Sequence, residues 1–563
     1  MSQRPRWLLL PSLVLLTALR VSAQQPRRAD LIVTGARIYT VDPTHPIAQA
    51  LAVRGTRLLF VGSVTEAMAL KGPATRVLDL HGATVIPGMT DAHAHLIELG
   101  KTLTRVDLRG IASYAEVVAR VVARAKTMAP GSWVYGWGWD QNRWAGQHFP
   151  THGALTAAVP DHPVVLNRID GHAVLANARA MQLAGITRTT PDPPGGKILR
   201  DPGGDPSGVF VDNAEDLVTR AEPPLSAAEL HEAVHAAVTE CNRWGLTGIH
   251  DPGVGRRGLE LYETLARSGA LTLRDYAMIA DDSALEASYF AKGPQSALYD
   301  GHLWIRAVKL YADGALGSRG AALLAPYSDD PGNSGLLVST PEHLRAVAVQ
   351  ALRAGFQVAT HAIGDRGNRN VLDAYEAALK EVPTADHRFR IEHTQVLDPT
   401  DIPRFAELGV IPSMQAVHAT SDMPWATDRL GPTRVLGAYA WRSLLNTGVI
   451  IPNGSDFPVE RVNPLYSFHA AITRQDERDS PAGGWHPEQR MTHEEALRSM
   501  TIWPAYAGFQ EKDLGSLTAG KYADFVVLDR DIMTVPDADI LHARVLATYV
   551  GGKAVYEASE AQQ

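Results

Sequence analysis

Apolar residues fall in short, glycine-punctuated runs at both ends of this chain, and in strand-like runs alternating with helical spacing through its middle. Residues 31–33, 50–53, 58–61 and 77–80 read as strands, and residues 525–528 and 545–550 repeat that texture at the far end. Two β-rich ends around a long middle predict one composite β-sandwich domain built from residues 24–87 and 515–563. Between them, candidate strands at 84–86 (leading into Asp91), 245–250, 272–279, 305–311, 357–361, 389–393, 410–415 and 449–456 alternate with amphipathic stretches. This is the pattern of parallel βαβ units. Eight such runs predict an α/β fold, a (β/α)8 TIM-type barrel over residues 88–514, with reactive residues where each run ends.

The first two candidate strands lie about 150 residues apart, against roughly 30 for one βα unit, so an insertion over about residues 100–225 is expected. It carries Trp133-Val134-Tyr135-Gly136-Trp137-Gly138-Trp139 and the loop Asp192-Pro193-Pro194-Gly195-Gly196. Such rings either line an apolar pocket or form a buried structural strand, and the pattern favours neither.

Composition narrows the function. With 45% hydrophobic and 20% charged residues, the 563-residue chain has material for a large core, which argues against disorder. A net charge of -8 without long single-sign runs leaves no footprint for nucleic acid or an anionic membrane surface. The expected partner is a small-molecule substrate, and the composition is compatible with a homo-oligomer. Residues 1–23 combine Arg4 and Arg6, an apolar run over 7–19, and Ser22-Ala23 before Gln24. This matches a cleavable export signal, giving a periplasmic or extracellular protein. The run is too short for a stable membrane span. The single cysteine, Cys241, excludes an intramolecular disulfide, and its helical surroundings over 230–244 mark it as a core residue.

The candidate chemistry starts at Asp91-Ala92-His93-Ala94-His95. Strand side chains alternate with period two, so His93 and His95 project to one side and can share a metal. A lone His-x-His is weak evidence. Three later strand ends strengthen it by supplying His361, His393 and Asp456, and imidazole with carboxylate suits zinc and neighbouring divalent metals.

Five ordered motifs carry a resemblance. They are Val85-Ile86-Pro87-Gly88-Met89-Thr90 running into the His-x-His, Val308-Lys309-Leu310-Tyr311-Ala312-Asp313-Gly314, His361-Ala362-Ile363-Gly364-Asp365, Ile391-Glu392-His393, and Gly454-Ser455-Asp456-Phe457-Pro458. Together with the closing segment through Ala523-Asp524-Phe525, they resemble the family-3, YtcJ-like amidohydrolases over nearly the whole mature chain. The resemblance implies two divalent metal ions, zinc by chemistry. His93, His95 and Asp456 would hold one, His361 and His393 the other, with Lys309 bridging them as an N-carboxylated lysine. A free ammonium cannot ligate, but a desolvated lysine loses its proton readily and its amine captures carbon dioxide. The implied activity is hydrolysis of a non-peptide carbon–nitrogen bond in an amide, formamide or cyclic amide by metal-activated hydroxide, with Asp456 moving the proton.

Trp139, Asp140, His172, Asp313 and Arg319 are candidates for orienting substrate, though each is equally able to brace a loop. His172 leads them, because residues 167–172 also end an apolar run. An esterase, lactonase or phosphotriesterase-like hydrolase would use the same site. A secreted metal- or ligand-binding protein is the non-enzymatic alternative, and it has no need of Lys309 or Asp456.

Overall fold

The chain changes sheets at Gly88, and the two β systems of the molecule meet there. In the computed structural model, which describes residues 28–559, Thr84–Pro87 pairs antiparallel with Phe525–Leu528 and parallel with Arg37–Tyr39. Ile47–Ala48, Val545–Val550 and Lys553–Glu557 complete this six-stranded sheet, so strands from both ends of the chain lie side by side. A four-stranded sheet in the order Arg57–Gly62, Ala50–Arg54, Leu31–Thr34, Arg76–Asp79 shares a core with it through Val33, Leu51, Val53, Val85, Phe525 and Val527. The export signal expected at residues 1–23 lies outside the described residues.

The apolar run 84–86 therefore belongs to this sheet, which corrects its reading as the first barrel strand; that strand is Met89–Asp91. The crossover is tight. A Cβ on Gly88 would stand 2.1 Å from Thr247 Oγ1, so only glycine fits between the two sheets. Parallel pairing then runs through Leu246–Val254, Arg274–Ala280, Leu303–Tyr311, Gln357–Ala362, Arg390–His393 and Ile411–Ser413. Helices such as Pro341–Ala354 and Asp365–Glu381 pack outside these strands, giving the TIM-type α/β architecture.

The expected eighth strand, 449–456, is not regular. It closes the wall through a single bridge, Met414↔Asn453, and through Gly454 N–H to Met414 O (3.0 Å) and Ala92 N–H to Asn453 O (3.2 Å). Pro452 removes one ladder donor, and Asp456 turns left-handed at φ 61°. That turn is held by Asp456 N–H donating to His93 O at 2.7 Å.

The insertion is a six-stranded mixed sheet in the order Gly196–Arg200, Pro206–Asp212, Ala173–Ala176, Val164–Arg168, Val134–Trp139, Val106–Asp107. It has apolar cores on both faces. Cys241 is buried in the helix Ala227–Arg243, which starts at a Ser226/Glu229 capping box. No helix among the described residues is long and apolar enough to cross a membrane.

Candidate metal centre and its cavity

The helix Leu96–Thr102 begins directly after His95, so the first barrel strand ends in a short loop whose shape depends on Asp91. The Asp91 carboxylate accepts from His93 N (3.1 Å), Ser455 N (2.9 Å) and Ser455 Oγ (2.6 Å), clipping the His-x-His loop to the 453–456 segment. Burial nevertheless pushes Asp91 up to about 7, against those hydrogen bonds. With the loop so fixed, His95 Nε2 lies 3.2 Å and His93 Nε2 3.7 Å from Asp456 Oδ1. One atom each of His93, His393 and Asp456 falls within a common 4.8 Å.

Adjacent strands deliver the others. Tyr311 pairs with His361, and Ala362 with His393. The His361 and His393 rings stand 4.5 Å apart, those of His93 and His393 4.8 Å. Lys309 occupies an inward position of its strand, because Val308 and Leu310 face the outer core. Its Nζ lies 3.5 Å from His93 Nε2.

Outer partners set which nitrogen each ring offers. His93 Nδ1 pairs with Glu392 Oε2 at 2.6 Å, and His393 Nδ1 with Gln415 Oε1 at 2.8 Å, so both rings keep Nε2 for the centre. His361 Nε2 instead approaches Gly314 O at 3.4 Å, leaving Nδ1. Burial, reinforced by the Lys309 charge, holds His93, His361 and His393 well below the usual imidazole range, so they are neutral and able to ligate. Burial also pushes Lys309 down to about 8 against the pull of Glu392 and Asp456. Asp456 behaves oppositely: burial favours protonation, but the hydrogen bond from His95 opposes it and the carboxyl is held well below the carboxylate range. Buried nitrogens that face one another beside a carboxylate suit a bound cation.

A cavity of about 510 Å³ opens from this cluster, walled on one side by the barrel mouth and on the other by the inserted sheet. His172 belongs to the inserted wall. Its ring lies 5.0 Å from that of His361, and its Nδ1 pairs with Asp212 Oδ1 at 2.8 Å. Burial lowers its pKa, but Asp212 outweighs this and raises it above the ordinary value. Asp140 also lines the cavity, with its carboxylate on the Arg168 guanidinium at 2.7 Å.

Three candidates do not reach the cavity. Trp139 is fully buried in the inserted domain's core, donating Nε1–H to Leu166 O at 2.7 Å. The cause is a bulge at Gly138 (φ 103°) that shifts the register between Trp137 and Trp139, turning Trp139 to the opposite face. Of the two readings of that aromatic segment, the buried strand holds for Trp139. Asp313 is fully buried and accepts backbone N–H from Ile363, Gly364 and Ala322 at 2.8–2.9 Å, bracing the turn after His361. Arg319 pairs with Asp329 at 2.9 Å instead of facing the cavity.

Sequence reasoning passed over Glu392, Gln415 and His418. Glu392 was legible, since Arg390 and Glu392 sit two apart and share the inward strand face. Their Nε–Oε1 distance is 2.7 Å. His418 lies three residues beyond the expected end of strand 410–415, on the helix Ala416–Asp422, and its ring stacks on His393 at 6.0 Å.

Fold and site together have the form of a metal-dependent hydrolase. A family model described as the Amidohydrolase family matches residues 76–556, and the chain belongs to that family. It is 36% identical to Protein LONG AFTER FAR-RED 3 of Arabidopsis thaliana, over 94% of this chain and 92% of that one. Identity is 33% to the putative amidohydrolase YtcJ of Bacillus subtilis (93% and 99% covered) and 30% to the N-substituted formamide deformylase of Arthrobacter pascens (94% and 98%). Among solved structures, an uncharacterized metal-dependent hydrolase from Pyrococcus furiosus aligns with a TM-score of 0.70 at 29% identity, covering 90% of this chain and all of that one.

Proposed function

We propose that this protein hydrolyses a non-peptide carbon–nitrogen bond of a small molecule, an amide, formamide or cyclic amide, at a two-zinc centre. His93, His95 and Asp456 would hold one ion, His361 and His393 the other, and a carboxylated Lys309 would join them. The observation that carries the reading is the placement of Asp456: an ionised carboxylate 3.2 and 3.7 Å from two imidazole nitrogens, at the rim of a substrate-sized cavity. The similarity to a formamide deformylase supports the choice of bond.

Bound divalent metal supplies Lewis-acid polarisation of the carbonyl and acidifies water. Asp456 receives the proton that the attacking water gives up as its oxygen bonds to the carbonyl carbon. As the carbon–nitrogen bond breaks, Asp456 returns that proton to the departing nitrogen, leaving a carboxylic acid and an amine. Glu392 and Gln415 keep the His93 and His393 rings in orientation. His172, braced by Asp212, stands across the cavity within reach of a substrate carbonyl or amine. The export signal read at residues 1–23 would make this an activity outside the cytoplasm, with Gln24 as the new amino terminus.

The test is a hydrolysis panel of amides, formamides, cyclic amides, lactones and phosphate esters, using zinc-loaded and chelator-treated protein. Metal-dependent release of amine is expected. Turnover of lactones or phosphate esters with none of the nitrogen compounds would overturn the proposal.

A further inference from the structure

Beyond the histidine cluster the cavity extends along the helix Ala416–Asp422, where three polar groups take no part in the reaction just described. His418 is 8% exposed, and its Nε2 has no hydrogen-bond partner and lies 3.9 Å from Asp456 Oδ2. Asp422 Oδ2 accepts from Tyr439 Oη (2.6 Å) and Gln395 Nε2 (3.2 Å), which leaves Oδ1 uncommitted. Glu460 Oε1 accepts from Ser421 Oγ at 2.6 Å, which leaves Oε2.

Among the described residues neither carboxylate pairs with a lysine or arginine of its own. The guanidiniums that feel them are engaged elsewhere: Arg168 with Asp140 and Asp170, Arg109 with both oxygens of Asp107, and Arg461 with Glu477. Burial pushes Asp422 up to about 7 and raises Glu460 as well, with His418 opposing both shifts. Two carboxylates set against a single imidazole leave this wall with negative charge for a cationic ligand to balance. Among the described residues the side chains that gather closely enough to share one metal ion are His93, His393 and Asp456, and the three groups of this lobe are not among them. The free oxygens Asp422 Oδ1 and Glu460 Oε2 can each accept an N–H···O bond of about 2.8 Å from a polyatomic cation.

We propose that the lobe formed by His418, Asp422 and Glu460 binds an ammonium group on the substrate, which makes the preferred substrates amides with a positively charged substituent. This rests on the carbon–nitrogen hydrolase reading and deepens it. Asp422 Oδ1 and Glu460 Oε2 accept two of the ammonium protons, and His418 Nε2 is the third polar atom the group meets.

The experiment compares N-(4-aminobutyl)formamide with its neutral isostere N-pentylformamide on the zinc-loaded full chain. The parent should favour the charged compound by at least about tenfold in kcat/KM, the usual weight of a hydrogen bond to a charged group. Asp422→Asn and Glu460→Gln should each shrink that ratio, mainly through KM. A ratio near one in the parent, or one unchanged in both variants, overturns the proposal. Asp422 also anchors Tyr439, so Glu460→Gln keeps the test open if the other variant melts early. If neither formamide is hydrolysed, the hydrolase reading is decided by the wider panel of amides and cyclic amides, separately from the lobe. Calorimetry with n-butylammonium chloride against 1-butanol then decides the lobe: ammonium binding weakened by Glu460→Gln supports it, and equal binding of both probes overturns it.

Discussion

At the barrel mouth, buried nitrogens face one another: Lys309 Nζ stands 3.5 Å from His93 Nε2, and the imidazole rings of three strands crowd within 5 Å centroid to centroid. On the facing wall, the inserted sheet buries Arg168 with Asp140 and Asp170 against it, and His172 with Asp212 against it. The two regions line one cavity with similar residue types and opposite charge arrangements. A network satisfied from within the chain holds shape. A cluster of donors aimed at a common point requires something from outside the chain, and here that requirement matches a cation. The contrast shows that the arrangement of partners, more than residue type or burial, separates a candidate centre from its scaffold.

The comparison breaks first at Asp456. Asp456→Asn should bind substrate but lose about 10²- to 10⁴-fold in kcat, because an amide cannot accept the water's proton. Metal analysis alongside kinetics separates lost base from lost ligand. Parental metal content with near-parental kcat would transfer the proton role to His172.

Lys309→Ala comes next. Loss of a ligand should exceed the 10- to 100-fold typical of outer partners, so a fall of at least about 10²-fold is expected, with partial recovery on adding formate or acetate. Unassisted parental activity in this variant would remove the bridge from the mechanism. A pH effect follows from the same residue. Carbon dioxide adds only to the neutral amine, and burial places Lys309 near 8. With dissolved carbon dioxide held at the same concentration, reactivation of metal-free protein by zinc should therefore be faster at pH 9 than at pH 6.5. A flat or reversed profile would argue against carboxylation.

On the facing wall, His172→Gln should cost roughly 10- to 100-fold in kcat/KM while leaving metal content unchanged, since its partner is Asp212 and not the centre. Loss of metal in that variant would erase the distinction between the two walls. The smallest effect is expected at Trp139→Phe, where the lost hydrogen bond to Leu166 O should destabilise by about 1 kcal/mol in a denaturant melt with kinetics unchanged.

Much of this molecule is determined by local chemistry that can be read along the chain. The β-rich texture of the ends, the alternation of apolar runs through the middle, and the ligand-type residues at run ends all depend on near neighbours. Tertiary structure decided the rest, because the deciding contacts join residues hundreds of positions apart. Residues 84–86 entered the outer sheet because Phe525–Leu528 was there to pair with them. A one-residue bulge at Gly138 reversed the face of Trp139, and period-two reasoning cannot foresee a bulge. Asp313 carries a carboxylate like Asp456, yet three backbone N–H groups of other segments satisfy it and make it a brace. His418, silent in the sequence, faces Asp456 only because the seventh strand and the 453–456 segment lie side by side. Local pattern determines which groups are present and how each element faces; the partners that give a buried polar group its role are known only once the chain has closed around it.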